Sequence, residues 1–169
     1  MGQTIADLND AEREWAAAGL RTAGGVAQSA GLAVTPGDVL APDVLDTAWA
    51  AWLGGHARGQ EDPNPYINGF GLAFGAYLVD QLGLEWKKAT DEYGTEIAVW
   101  GREGDIVVLP TNLVGKRYAA GTQRFFADIA SKMEDDIGRI RAGGQPTDAQ
   151  PVDQPAKAGG LGRFLRRNR

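Results

Sequence analysis

The hydrophobic period changes twice within one uninterrupted stretch, Asn68 to Arg141, and that alternation restricts the chain to folds that layer helices on an antiparallel sheet. Asn68 opens a helix on which Phe70, Phe74, Tyr77, Leu78 and Leu82 form a broad apolar stripe. Gly83 followed by Leu84 fits a left-handed stop with a hydrophobic contact beyond it. From Glu85 the period falls to two, with Trp86, Lys88 and Thr90 alternating with Lys87 and Ala89. Asp91-Glu92-Tyr93-Gly94 then turns the chain into a hairpin. Ile97 and Val99 point to one face and Ala98 and Trp100 to the other. A second turn at residues 101–104 leads into Ile106-Val107-Val108-Leu109, a third strand ended by Pro110. Thr111 caps a short helix through Tyr118. After Gly121-Thr122 the spacing of Phe126, Ala130, Met133, Ile137 and Ile140 predicts a long one-sided helix, expected to cover one face of the three-stranded sheet.

Two glycines, Gly71 and Gly75, lie one turn apart inside the first of these helices. Each costs about 1 kcal/mol against alanine, so they imply close approach of another backbone, expected to be a strand of the sheet.

The flanks are less regular. TIADLNDAEREWAAAGL from Thr4 reads as helix with Asn9 or Asp10 as N-cap. The pair Gly24-Gly25 weakens its continuation, with GVAQSAGLAV as a second short helix. Thr35-Pro36 marks a further helix start. Ala41-Pro42 marks another, from which Val44, Leu45, Ala48, Trp49, Trp52 and Leu53 form an apolar stripe read as core rather than as a stacking platform for a ligand. Residues 54–65 are turn chemistry throughout and hold His56, the sole histidine. After Ala142 the run GGQPTDAQPVDQPAKAGG lacks any apolar period and reads as disordered linker, ending in the basic tail LGRFLRRNR.

At 169 residues, with 43% hydrophobic and 23% charged residues, the chain suits one domain with a real core. Without cysteine, thiolate nucleophiles, Cys-ligated zinc and disulfides are excluded together. The N-terminus carries acids rather than a basic, apolar leader, and no stretch has the apolar length of a membrane span, so a cytoplasmic protein is expected. Residues 1–62 carry three cations against nine acids, residues 63–140 eight against eleven, and residues 141–169 six against two. An acidic body argues against nucleic acid as the main partner.

Specific chemistry is sparse. Gly69-Phe70-Gly71-Leu72-Ala73-Phe74-Gly75 has the spacing of some dinucleotide loops but follows turn residues instead of a buried strand. Ser29 and Ser131, the only serines, sit in helical patterns and in no nucleophile elbow. No catalytic residue, metal ligand or cofactor is assigned. Asp91 and Glu92 in the hairpin turn, and Lys116 and Arg117 closing the short helix, are the polar groups most open to binding. The two cations also suit a helix C-terminus electrostatically, and with Arg124 they form a candidate anion pocket. In the tail, Arg163, Arg166 and Arg167 beside Phe164 read as solvated chain first, or as a docking element for an acidic partner or an anionic membrane surface.

The residues GLAFGAYLVDQLGLEW, then DEYGTEIAV, then LPTNLVGKR, resemble a bacterial family known only as a domain of unknown function, number 3806 in its series. The resemblance covers Tyr66 to Ile140 and rests on Gly75, Gly83, Trp86, Asp91, Gly94, Pro110, Lys116 and Arg117 in order. It implies an α+β fold and carries no reaction, substrate or catalytic residue.

The sequence therefore predicts an α+β fold: a three-stranded antiparallel meander flanked by helices, with additional N-terminal helices and a disordered C-terminal tail. Residues 1–62 form a helical segment packed on the core, 63–141 the α+β core, and 142–169 linker and basic tail. The expected function is a non-enzymatic interaction or regulatory module that binds another protein. The alternative is a small carboxylate-dependent hydrolase or small-ligand-binding protein using Asp91, Glu92, Lys116 and Arg117. A pocket gathering these groups around a perturbed carboxylate favours the alternative; a flat exposed apolar patch favours the first.

Overall fold

The structure, a computed structural model, describes residues 2–55, 61–103 and 106–144. The linker and basic tail from residue 145 on, and His56, lie outside the described residues. In chain order the elements are β1 (Thr4–Ala6), α1 (Asp10–Ser29), α2 (Pro42–Gly55), α3 (Asn64–Leu82), β2 (Glu85–Asp91), β3 (Gly94–Gly101), β4 (Ile106–Val108), α4 (Pro110–Ala120) and α5 (Phe126–Arg141). The fold is α+β, as the change of period implies.

Helix α3 is the hub. From Ile67 to Leu78 only Asn68 and Tyr77 escape full burial, so the helix is apolar nearly all round and takes neighbours on every side. Helices α1, α2, α4 and α5 and strands β2 and β3 all pack against it. Glycines permit these approaches: a Cβ on Gly71 would lie 2.6 Å from the Thr111 Cα, and one on Gly19 of α1 would lie 2.7 Å from the Leu72 Cβ. The close neighbour of Gly71 is thus the start of α4 rather than a strand, whereas Gly75 faces the Trp86 ring of β2. The helix begins at Asn64, before Asn68, because Pro65 fits a first turn in which backbone N–H groups have no intrahelical partner. It stops as expected, with Gly83 in the left-handed region at φ 63° and Leu84 buried beyond it.

The sheet has four antiparallel strands in the order β1-β2-β3-β4, one more than the predicted meander. The additional strand is Thr4-Ile5-Ala6, read from sequence as the approach to a helix. It pairs Thr4 with Thr90, Ile5 with Ala89 and Ala6 with Lys88, closing an edge of β2 that would otherwise present unpaired backbone groups. Ion pairs from Lys87 to Asp7 (2.7 Å) and Lys88 to Glu12 (3.0 Å) fasten this junction.

Helix α1 starts at Asn9 with a full capping box: the Asn9 side chain accepts from the Glu12 N–H at 2.9 Å, and Glu12 accepts from the Asn9 N–H at 2.8 Å. It then runs unbroken through Gly24-Gly25 instead of splitting in two. Residues 36–38 form a turn, not a helix: the Asp38 N–H bonds back to the Thr35 carbonyl and Gly37 takes φ 102°.

Helix α5 packs on α2 and α3 rather than on the sheet. The sheet's inner face is already occupied, since Trp86 lies against α3 and Val99 and Val108 join the core that α3 organises. The N-terminus of α5 has no local side-chain cap. Buried Asp46 of α2 supplies one from afar, its Oδ1 accepting from the N–H groups of Phe125 (2.6 Å) and Phe126 (3.0 Å) and its Oδ2 from that of Ala127 (3.0 Å). Trp49 is fully buried and donates Nε1–H to the Thr122 carbonyl at 2.8 Å, while Trp52 stacks on Tyr66, so the tryptophan stripe is core. No helix among the described residues is long and apolar enough to cross a membrane.

Candidate functional site

Strand alternation and register bring three residues to one patch. Ala89 and Asp91 share a face of β2, and the pairing of Ala89 with Glu96 puts Glu96 on that face too, making Asp91 and Glu96 diagonal neighbours. Chain connectivity adds the opposite wall. Pro110 follows β4 after a single residue and starts α4, which presents Asn112 and Lys116, four apart and hence on one helix face, toward the hairpin. Between them lies a cleft of about 180 Å³, room for about six waters. Its polar lining comprises Gln3, Asp91, Tyr93, Glu96, Asn112 and Lys116, and its apolar lining Ala89, Val107, Val108, Leu109 and Leu113.

Each polar group has a defined setting. Asp91 Oδ1 accepts from the N–H groups of Tyr93 (2.8 Å) and Gly94 (3.2 Å), which fixes the hairpin turn. Tyr93 is 60% exposed at the rim. Glu96 is half-buried, and both its carboxylate oxygens accept from Asn112 Nδ2, at 3.3 and 3.1 Å. Its carboxyl is pushed above the ordinary glutamate range, first by burial and then by the negative charge of Asp91, against which the positive charge of Lys116 acts. The Tyr93 hydroxyl is likewise pushed up, mainly by the charge of Glu92.

Of the residues singled out by sequence, Asp91 and Lys116 meet in this cleft. Glu92 and Arg117 do not line it: Glu92 is exposed at the hairpin tip, and the Arg117 guanidinium lies 5.9 Å from the Phe125 ring centre. Arg124 is exposed and does not line the cleft, so the three cations form no common pocket there. Arg163, Phe164, Arg166 and Arg167 lie outside the described residues. Sequence reading missed Glu96 and Asn112. The signal for Glu96 was present, since a carboxylate in mid-strand shares the parity of Ala98 and Trp100, but nothing local places Asn112 opposite it.

Among the described residues no group of three or more His, Cys, Asp or Glu is placed to hold a metal ion. Large exposed hydrophobic side chains among them are Trp15, Val39 and Tyr93, spread over α1, the loop before α2 and the hairpin tip.

Residues 56–126 match the family model described as Domain of unknown function (DUF3806). The match includes α3, the hairpin, β4 and α4, and reaches only the first residue of α5. Every residue of the cleft except Gln3 falls inside it. Comparison of the chain with curated proteins and with solved structures gives no significant match to either.

Proposed function

We propose that this chain binds a small polar molecule in the cleft between the β2–β3 hairpin and α4. One observation carries the reading: the cleft gathers two carboxylates, a lysine and two carboxamides, and holds the Glu96 carboxyl in a setting that raises its pKa. A half-buried carboxylate with a second acid beside it in a concave site differs from the solvated acids of an ordinary surface. The mixed lining, with an apolar wall of Val107, Leu109 and Leu113 facing polar groups, is the composition of a ligand site.

The reading is of binding. Neither serine lines the cleft, and no reaction is assigned to Asp91 or Glu96. A cytoplasmic location belongs to the same proposal and is tested by cell fractionation. Docking on another protein through Arg163, Phe164, Arg166 and Arg167 is an expectation from sequence alone.

The test is a thermal-shift screen of the full chain against a library of polar metabolites, repeated on Glu96→Gln and Lys116→Ala. A ligand at 100 times its dissociation constant stabilises the folded state by about 2.7 kcal/mol, which raises the melting temperature by several degrees. The proposal expects at least one compound with this effect on the natural chain and a reduced effect on both variants. A library that shifts nothing, or shifts all three proteins equally, contradicts it.

A further inference from the structure

Resting on the reading of the cleft as a ligand site, we propose that its ligand is a small organic cation, an ammonium or guanidinium on a short apolar stem, whose charged head sits between Asp91 and Glu96.

The two carboxylates of the cleft have acceptor sites that protein donors leave open. An ionised carboxylate offers about four lone-pair sites. The two oxygens of Glu96 share the single Nδ2 of Asn112, although the side chain is half-buried. Asp91 spends Oδ1 on its own turn, and the described residues supply no hydrogen bond to its Oδ2. Two carboxylates and one lysine line the cleft, so its charge is negative on balance, and the Asp91 Oδ2 and the Glu96 oxygens have acceptor sites that a ligand can use.

Charge points the same way. Diagonal neighbours across an antiparallel pair are about 7–8 Å apart, close enough for like charges to repel, and Asp91 does act on Glu96 in that sense. A positive head group supplies both what is short: an ammonium brings three donors and a guanidinium five, and either relieves the repulsion. An anion would have to enter against two carboxylates. A neutral ligand would leave their repulsion in place.

The remaining wall sets the stem. Val107, Leu109 and Leu113 line the side of the cleft formed by β4 and the start of α4, and an alkyl chain leaving the carboxylates meets them. Lys116 lies in the same cleft, so a bulky or multiply charged cation is disfavoured against one with a single head.

Three probes of matched length separate the possibilities: pentylammonium, pentanol and pentanoate, titrated into the full chain and followed through backbone amide shifts in NMR. The inference expects saturable shifts at Asp91, Glu96 and Asn112 with pentylammonium, weaker by at least about tenfold with the other two. Those shifts are expected to vanish in the double variant Asp91→Asn, Glu96→Gln. Asparagine at 91 can still accept the turn hydrogen bonds, so the hairpin survives the loss of charge. If pentanol or pentanoate binds the cleft as well as pentylammonium does, the charge class is wrong while the cleft remains a ligand site. If pentylammonium moves the same amides in the double variant, its binding is adventitious and the inference falls. If no probe binds, the inference falls, and the cleft reading falls with it only when the metabolite screen is also empty.

Discussion

Asn112 holds Glu96 by a single amide group, Nδ2 lying 3.1 and 3.3 Å from the two carboxylate oxygens, and this contact ties α4 to the middle of β3. It is the hinge of the proposed site, because it fixes the direction in which a half-buried carboxylate faces the cleft. Removing the donor with Asn112→Ala leaves that carboxylate with less than it needs. The expected loss is about 1 kcal/mol at neutral pH, read as a lower urea midpoint with an unchanged slope.

The same carboxylate makes a prediction in pH. Glu96 has a folded-state pKa above its unfolded value, through burial and the charge of Asp91, with Lys116 opposing. For an acid shifted upward the unfolded chain releases its proton first. Its contribution to stability is therefore fully present below the ordinary glutamate value and is lost as pH rises through the raised one. Glu96→Gln removes this dependence. The variant is expected to gain melting temperature relative to the natural chain at pH 7 and to lose the advantage on acidification below the glutamate range. Parallel melting curves across that window would show the assignment to be wrong.

Asp46 makes a stronger claim on stability. It serves three backbone N–H groups at the start of α5, two of them in a buried setting. Asp46→Ala leaves all three unserved and is expected to cost about 3 kcal/mol in denaturant unfolding. Asp46→Asn keeps one accepting oxygen and is expected to cost less. Equal stability of the alanine variant would contradict this account of how α5 is anchored.

The glycines of α1 give a matched pair of opposite sign. A Cβ on Gly24 would lie 2.7 Å from the Pro36 Cα, whereas one on Gly25 meets nothing within 4 Å. Gly25→Ala is therefore expected to stabilise by about 0.5–1 kcal/mol through helix propensity. Gly24→Ala is expected to destabilise by about 1–3 kcal/mol, because the loop behind it has to move. Urea unfolding of both variants checks the pair.

These contrasts also mark what a reader of the sequence can see. The hub helix, its stop at Gly83, the β2–β3 hairpin and the parity of Ile97, Val99, Ala98 and Trp100 follow from local period and turn chemistry, and the structure has them. Strand β1 was hidden because three residues carry no period, and its evidence is a pairing with Thr90 far along the chain. The start of α5 was hidden because Phe125 cannot cap and the real acceptor, Asp46, belongs to another helix. The unbroken course of α1 through Gly24-Gly25 depends on Pro36 needing the space. In the site, Asp91 and Lys116 were visible as polar residues in turn and helix. Their neighbours Glu92 and Arg117 were equally visible, but Glu92 sits at the exposed hairpin tip, and a helix turns about 100° per residue, so Arg117 faces another way than Lys116. Glu96 became a site residue only when α4 was placed against it.

The central claim is that the cleft between hairpin and α4 is a ligand site, and the most direct measurement is an NMR screen of the full chain with the metabolite library. The account predicts at least one compound whose saturable shifts centre on the amides of Asp91, Glu96, Asn112 and Lys116 and disappear in Glu96→Gln. Shifts centred on another surface, or a library that moves no amide of the cleft, would contradict it.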